Sequence, residues 1–538
     1  MEKGHGMAAD REKYVLAIDL GTSAAKVALV SIQGQVIGWE SQPTTLHVLP
    51  GGGAEQDPNE WWSAILSLAK RLLAKGLVPL DDIVAVCPNT QGAGTVPVDA
   101  EGTCLGRAII WLDTRGAEWN ARLVGGPIRL EGFDVFKLAR WIRLTGGLPA
   151  RSGKDFIGHV LFLKHERPEI YRGAHKLLEV DGYIDYRLTA RFIATVDTMG
   201  MSWLTDNRDP NRIVYHDGLI AAAGIDRAKL PEIVRCTDVL GSLRPEVAQD
   251  LGLRPGVQVV AGAFDLPATA VGSGAVDDYA AHLSVSTSAF LTVHVPFKKT
   301  DLFHMVASLP SAIPGRYIVM GEQEAAGVHL TFLRDNLLFR RDALLDSGPP
   351  EDFYAALNTV AAEAPPGSHG LIYTPWIHGE RAPVEDPWVR AGLHNLSLEA
   401  TRADWIRSIM EGVAFNTRWM LEPVDRFCGR RLDPIVVAGG CVNSDLWCQI
   451  QADVLNRTIR QIKDPIQTAA RGAAFLAAVG LGLMQFADIQ GHIQIEREYR
   501  PQAGNRKVYD EMFAEFVSIY KQNKKIYERL NRSKVKTD

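Results

Sequence analysis

The 538-residue sequence has few cysteines, no long apolar run and no strong excess of either charge. Its six cysteines include no CxxC pair, which argues against a disulfide framework and a zinc site and indicates a reducing compartment. No apolar segment reaches the ~18 residues that would span a bilayer. The polar N-terminus does not resemble a secretory signal. We therefore expect a cytoplasmic protein with no membrane partner.

The charge balance argues against nucleic acid as a partner. Lysine plus arginine number 58 against 63 aspartate plus glutamate, for a formal net charge of -5. Non-specific nucleic-acid binding requires a concentrated basic surface, and the one locally basic stretch, KQNKKIYERLNRSKVK, is typical of a solvated helix end. A single hydrophobic core stops growing at about 250–300 residues, so the length predicts two large domains.

Two segments of the sequence follow the same pattern. YVLAIDLGTSAAKVALVSIQGQVIGWESQ predicts three strands in a meander, with a polar turn between the first two. AAHLSVSTSAFLTVHV again predicts a strand, a hydroxyl-rich turn and a strand, and it follows GVQVVAGAFDLPATAVGSGAV, which predicts strand, turn and helix. The repetition predicts two related α/β domains, at 11–262 and 263–500, followed by an amphipathic helix and tail at 501–538.

Polar residues follow the first apolar strand at the point where it ends. Asp19 closes the strand, Gly21 permits a tight turn, and Thr22 and Ser23 offer donors suited to phosphate oxygens. A carboxylate at the end of a buried strand is costly unless it has partners, and Lys26 lies just beyond. A hairpin turn with capping hydroxyls is the alternative interpretation, and this motif alone does not decide between them.

Three further strand ends carry small or polar residues. Asp265 follows a strand and begins a predicted helix, where an N-cap is the alternative interpretation. Residues 286–288, Ser-Thr-Ser, form a second hydroxyl-rich turn around Thr287. Gly439 and Gly440 end another apolar strand, and the absence of side chains there leaves room for a flat ring against the backbone. Their joint occurrence favours a phosphate-binding site more than any one of them does.

Seven segments, in order, resemble motifs of the FGGY carbohydrate kinases, which belong to the larger actin–hexokinase–chaperone ATPase fold. The resemblance runs from about Tyr14 to about Leu530. Within the family, the xylulokinase-like members are most similar to this sequence in length and in the residues of the motifs. It implies an α/β fold of two related actin/hexokinase-like (ribonuclease H-like) domains with a nucleotide cleft between them. The segments are AIDLGTSAAK, IIWLDTR, VVAGAFDLPATAVGSG, LSVSTSAFL, GLIYTPWIHGERAPVEDPWVRA, NLSLEATRADWIRSIMEGVAF and IVVAGGCVNSDLWCQIQADVLNRTI.

The resemblance also implies roles for particular residues, with ATP and Mg²⁺ as cofactors and a small sugar or polyol as acceptor. Asp265 would be the general base, and Asp19 would hold Mg²⁺ through water. The residues expected to bind ATP are Gly21, Thr22, Ser23, Lys26, Thr287, Gly439, Gly440 and Asn443. The residues expected to bind sugar are Gln91, Trp111, Asp113 and Asp265. Dimers are common in the resembled family, so a homodimer is left open.

One departure bears on the identity of the sugar. The family's sugar-contact segment reads GQMHG in xylulokinase-like members, whereas this sequence keeps Gln91 but has Gly92 and Ala93 at the Met and His positions. We expect transfer to a ketopentose such as xylulose, with another pentulose, a pentitol or a glycerol-like polyol as alternatives. An actin- or chaperone-like ATPase is the further alternative. The presence of Gln91, Asp113 and Asp265 favours a kinase, because only a kinase needs a base beside a sugar site.

Overall fold

Two large β-sheets organise the chain in the computed structural model, which describes residues 12–130, 132–343 and 347–532. In the first lobe the strands lie in the order Val239–Ser242, Gln258–Val260, Ile83–Thr90, Tyr14–Leu20, Ala24–Ser31 and Val36–Pro43, and the short strand Ala263–Phe264 also pairs with Ile83–Thr90. In the second lobe the order is Ile495–Tyr499, Ile459–Ile462, Ile435–Ala438, Ala281–Val285, Ala289–Val295, Tyr317–Gln323, Val306–Pro310 and Thr300–Asp301.

The two sheets share one spatial order of antiparallel and parallel strands. Each contains three neighbouring antiparallel strands, of which the first, Tyr14–Leu20 or Ala281–Val285, pairs in parallel with a strand reached by a long crossover. A second parallel strand and an antiparallel one follow in both. The predicted duplication of an α/β unit is therefore confirmed, including the polar turn at the tip of each first hairpin.

Helices and short strands complete the two lobes. The first long helix begins at Pro58, because Asp57 accepts a hydrogen bond from the Asn59 backbone N–H at 2.8 Å and Pro58 occupies the first turn. The helices are Pro58–Leu73, Ala117–Val124, Val135–Thr145, Phe156–Glu166, Pro168–Gly173, Val180–Thr189, Val196–Gly200, Asp217–Ala223, Pro245–Leu251, Asp265–Gly272, Val328–Leu333, Phe353–Ala362, Arg402–Cys428, Asp445–Leu455, Thr468–Gly480, Ile489–His492 and Arg506–Asn531. The remaining strands are His47–Leu49, Gly53–Gln56, Val96–Val98, Ala108–Ile109, Arg129–Leu130, Phe133–Asp134, Lys176–Leu178, Ile193–Thr195, Thr205–Asp206, Val214–Tyr215, Glu232–Val234, Ile372–Thr374 and Gly392–His394.

Two helices pack together on one face of the first sheet and join the lobes. We call Asp265–Gly272 the base helix and Thr468–Gly480 the crossing helix. Their backbones touch, because a Cβ at Gly472 would lie 1.8 Å from the carbonyl oxygen of Ala268. The buried Arg471 donates to the carbonyl of Gly34 in the first lobe at 3.0 Å and to that of Lys463 in the second at 2.9 Å. The interface between the lobes is thus a shared core that fixes the start of the base helix.

The C-terminal helix Arg506–Asn531 packs back onto the second lobe, as its spacing of apolar residues predicts. Met512, Phe516 and Tyr520 are buried at its inner face. All six cysteines are free, which confirms the absence of a disulfide framework. The predicted limits of the domains stay a prediction, and residues 11, 131, 344–346 and 533–538 of those ranges lie outside the described residues.

Candidate active site

The first polar turn, residues 21–23, projects from the end of a hairpin whose register pairs Asp19 with Lys26. The Lys26 ammonium donates to Asp19 Oδ2 at 3.1 Å, and the Asp19 charge raises the pKa of Lys26 against the effect of burial. Asp19 is only 6% exposed, so this pairing is what compensates its carboxylate for lost hydration. Ser23 is exposed at the tip, where it can meet a ligand.

A chain of hydrogen bonds joins this turn to two of the predicted sugar-binding residues. Trp111 Nε1 donates to Thr22 Oγ1 at 2.8 Å, and Thr22 Oγ1 donates to Gln91 Oε1 at 2.9 Å. Gln91 Nε2 in turn donates to Gln56 Oε1 at 2.7 Å. The sequence analysis assigned Gln56 no role, because the pattern GAEQDP indicates only that a helix cap follows and does not mark Gln56 as a binding residue. The structure therefore brings Thr22, Gln91 and Trp111 together.

Asp113 lies on the same loop as Trp111 but faces inward. Its carboxylate accepts from the Ala54 N–H at 2.9 Å and from the backbone N–H and Nε of Arg115, both at 2.9 Å. It is 1% exposed. These bonds hold the loop that carries Trp111 against the neighbouring strand, and direct contact of Asp113 with sugar stays a prediction.

Asp265 is placed by the turn that precedes it. Gly262 adopts φ +74°, and a Cβ there would lie 1.7 Å from the Pro88 carbonyl oxygen, so only glycine fits. Phe264 then pairs with Thr90 and occupies the N-cap of the base helix, which makes Asp265 its first helical residue rather than its cap. Burial raises the pKa of Asp265 to about 8, and the nearby charges of Glu322 and Asp19 add to the rise.

An ion-pair cluster from the second lobe faces this carboxyl group, and sequence reasoning assigned it no role. Arg381 pairs with Glu322 and with Glu324, the latter at 3.0 Å, and its guanidinium carbon lies 4.7 Å from the centroid of the Trp111 ring. Lys154 of the first lobe lies 3.7 Å from Glu324. One sequence signal could have identified Glu322: like Asp19, it is a charged residue near the end of an apolar strand.

The second polar turn lies against the glycine pair. Gly440 N–H donates to Ser286 Oγ at 3.3 Å, and a Cβ at Gly439 would lie 2.5 Å from the Val285 carbonyl oxygen. No heavy atom lies within 4 Å of the Cβ position of Gly440, so its backbone faces open space. Thr287 and Asn443 are exposed beside it. The second polar turn and the glycine pair therefore place two exposed polar side chains beside open backbone.

Glu322 connects the two halves of the site. It pairs with Phe290 in the strand that leaves the second polar turn, while its charge acts on Asp265. The Asp19 and Lys26 charges act on Asp265 as well. Charged residues of both lobes therefore lie within electrostatic reach of the candidate base.

The donor set fits a metal ion that is held mainly by phosphate and water. Asp19, Glu322 and Asp265 form a locally negative site, since the first two raise the pKa of the third. No group of three or more His, Cys, Asp or Glu side chains in the described part of the chain could hold a metal ion by itself. Mg²⁺ usually keeps several waters and one or two carboxylates beside substrate phosphates, which agrees with this arrangement.

Comparison with known proteins gives the family. The sequence model of the FGGY family of carbohydrate kinases, N-terminal domain, matches residues 14–272, and that of the C-terminal domain matches residues 281–481. The chain belongs to the FGGY family of carbohydrate kinases. It is therefore a phosphotransferase that uses ATP and a small-molecule sugar acceptor, on the two-domain actin/hexokinase-like fold.

Individual relatives resemble the chain along nearly its whole length. Xylulose kinase of Staphylococcus epidermidis is 28% identical over 537 residues, covering 96% of this chain and 98% of its own. Among solved structures, gluconate kinase from Lactobacillus acidophilus superposes with a TM-score of 0.83 at 24% identity, over 97% of this chain and 100% of its own. Ligand-bound xylulose kinase from Lactobacillus acidophilus also gives 0.83 at 24% identity, over 96% and 100%.

Within the described residues, no helix combines the length and apolar character required to cross a membrane.

Proposed function

We propose that this enzyme transfers the γ-phosphoryl group of ATP to a hydroxyl of a neutral ketopentose, with D-xylulose as the first candidate. The observation that carries the proposal is the position of Asp265 at the start of the base helix, in electrostatic reach of Asp19 and Lys26 and directly after Phe264, which pairs with Thr90 beside Gln91. A base beside hydroxyl-binding groups is what a sugar kinase needs and an ATPase without an acceptor does not.

Each residue has a role in that transfer. Asp265 accepts the proton of the attacking hydroxyl, and its raised pKa suits a base that works near neutral pH. The two polar turns orient the phosphates, with Thr22, Ser23 and Thr287 at their tips. Phosphoryl transfer depends on alignment and charge neutralisation; Asp19 would hold Mg²⁺, and the bound ion would supply charge neutralisation. Gly21 and Lys26 complete the first turn, and Gly439, Gly440 and Asn443 bind the adenosine.

Charge pairing in the site favours a neutral sugar over a sugar acid. The cations that border it in the described residues each have an acidic partner: Lys26 has Asp19, and Arg381 and Lys154 share Glu324. A substrate carboxylate would therefore have to displace an existing ion pair. Relatives that are 28% identical over nearly the full chain are xylulose kinases, which also supports a ketopentose.

The departure at Gly92 has a structural counterpart. A Cβ at Gly92 would lie 3.0 Å from Cδ2 of the Phe264 ring, so Phe264 occupies the space toward which a longer side chain would extend. Gly92, which stands where xylulokinase-like members have methionine, therefore leaves this part of the proposed sugar site filled by the Phe264 ring. We infer that the site remains closed on this side, as a pentulose-sized substrate requires.

The test is a coupled assay of ADP release with D-xylulose, D-ribulose, xylitol, glycerol and D-gluconate at saturating MgATP. The proposal expects the highest kcat/KM with a ketopentose, at least about tenfold above gluconate, because displacing a partly buried ion pair leaves a charge without its partner. A preference for gluconate or glycerol would overturn the choice of substrate. ADP release that no sugar stimulates would overturn the kinase assignment.

A further inference from the structure

Four carboxyl groups lie buried close to one another in the first lobe and take no part in the proposed chemistry. Glu179, Asp181, Asp185 and Asp197 are each at most 1% exposed. Three of them accept hydrogen bonds from backbone N–H groups and threonine hydroxyls. Burying a carboxyl group costs free energy even when it is hydrogen-bonded. The backbone segments that these groups bind therefore indicate what role the burial has.

Two of these groups bind the backbone on either side of the acceptor site. Asp197 Oδ2 accepts from the backbone N–H of Phe264 at 3.0 Å, and the proposed base is the next residue along the chain. Glu179 Oε2 accepts from the backbone N–H of Gly94 at 2.9 Å, at the end of the 91–94 loop. The buried cluster thus anchors both segments that would surround the attacking hydroxyl.

We propose that Asp197 is a positioning residue for phosphoryl transfer, which fixes Asp265 by accepting the N–H of Phe264. The inference rests on the proposed role of Asp265 as base. Phe264 is the N-cap residue of the base helix, and its side chain has no acceptor with which to satisfy the first N–H groups of that helix. Asp197, 67 residues earlier in the chain, supplies an acceptor at this end.

The orientation of Asp197 is itself fixed by a buried hydroxyl. Thr195 Oγ1 lies 2.6 Å from Asp181 Oδ2 and is also in hydrogen-bond contact with Asp197 Oδ1. One hydroxyl has one hydrogen, so the second contact requires a proton on one of the two carboxyl groups. Burial raises the pKa of both, in keeping with a shared proton. Oδ2 of Asp197 stays available to Phe264 in either arrangement.

Asp197→Asn tests the proposal without a change of shape. Both Asp197 oxygens accept from backbone N–H groups, of Phe264 at 3.0 Å and of Thr198 at 2.9 Å, whereas an asparagine NH₂ must turn toward one of them. We expect kcat to fall by about 10–100-fold, because small errors in the position of a base are expensive, with KM for ATP within about twofold of the parent. Asp185→Asn is the matched control: it is equally buried, neither oxygen has a partner among the described residues, and kcat should be unchanged.

A backbone substitution removes the same hydrogen bond from its other end. Incorporation of phenyllactic acid at position 264 replaces the amide by an ester, which lacks the N–H but keeps the ring. If Asp197 acts through this N–H, the ester lowers kcat as Asp197→Asn does, and the two changes together cost no more than about twofold beyond the larger single effect. Multiplicative effects, or a kcat for the ester within about twofold of the parent, would overturn the proposal.

The assay of Asp265→Asn separates this inference from the proposed function. Turnover retained by Asp265→Asn contradicts the base itself. Turnover lost by Asp265→Asn but kept by the ester at position 264 contradicts only the positioning role.

Discussion

The guanidinium carbon of Arg381 lies 4.7 Å from the centroid of the Trp111 indole ring, and the two residues belong to opposite lobes. Arg381 is held in place from behind by Glu322 and Glu324, while Trp111 is held by Thr22. A cation over an indole face is attracted by the ring quadrupole. This contact therefore joins the second lobe to a residue of the proposed sugar site.

Arg381→Lys should weaken sugar binding selectively. Lysine keeps the charge but loses the planar stacking on Trp111 and the two-pronged contact with its glutamates. We expect KM for D-xylulose to rise about tenfold and KM for ATP to stay within about twofold, measured by steady-state kinetics. Arg390→Lys is the control in the same segment, because among the described residues Arg390 donates to the carbonyls of Pro387 and Val389 and to no acidic side chain. An unchanged sugar KM in Arg381→Lys would show that the contact does not shape the site.

The pH dependence of turnover should report Asp265. A base must be ionised to accept a proton, and burial with the Glu322 and Asp19 charges raises the pKa of Asp265 to about 8. We expect kcat/KM for sugar to rise about tenfold per pH unit below that pKa and to level off above it. Glu322→Gln removes a negative neighbour, so the pKa falls and the acidic limb moves to lower pH. A limb that stays in place, or moves upward, would contradict the assignment.

The sequence predicts the parts of the site that depend on local order. Asp19 and Asp265 each follow an apolar strand, and a strand end at the edge of a sheet is where a polar side chain meets a cleft. The glycines at 439 and 440 follow the same rule. Each of these positions can be inferred from a few neighbouring residues. The repeated strand–turn–strand pattern predicts the two-lobed fold.

The parts that it does not predict depend on contacts between distant segments. Glu322 and Glu324 lie near the site because Arg381 pairs with them from a separate loop. The sequence analysis also missed the buried carboxyl groups, because their burial depends on contacts with distant segments. The segment VDGYIDY carries Asp181 and Asp185 in a helix whose sequence is about half polar. Neither periodicity nor spacing indicates that such side chains face inward.

Asp185 gives a prediction about stability and pH. Burial raises its pKa well above the ordinary value, and neither carboxylate oxygen has a hydrogen-bond partner in the part of the chain that the structure describes. A carboxyl group with a higher pKa in the folded state contributes stability that is present below the unfolded pKa of about 4 and is lost as pH rises toward the folded pKa.

Asp185→Asn should therefore stabilise the protein more as pH rises. The gain approaches zero near pH 4 and grows by at most about 1.4 kcal/mol per pH unit above it. Thermal unfolding of parent and variant between about pH 5 and 8 measures the difference. A stability difference that is constant across this range, or that shrinks with pH, would contradict burial of an unpaired carboxyl group.

Gly472→Ala should loosen the junction between the lobes. The added Cβ would lie 1.8 Å from the backbone oxygen of Ala268, so the crossing helix and the base helix must separate. We expect a lower Tm and a reduced kcat, since the base helix carries Asp265, with a destabilisation of about 1–3 kcal/mol. Gly491→Ala, whose Cβ position has no heavy atom within 4 Å, should leave both unchanged. Equal behaviour of the two variants would contradict the close packing of these helices.

The most direct test of the account is the sugar-dependent turnover of Asp265→Asn beside its affinity for MgATP. We expect ADP release in the presence of D-xylulose to fall by roughly 10³-fold, while the Kd for MgATP stays within about threefold of the parent, because the substitution removes the proton acceptor and keeps the nucleotide surface. Turnover within about tenfold of the parent would contradict the role of Asp265 as the base, and with it the proposed mechanism.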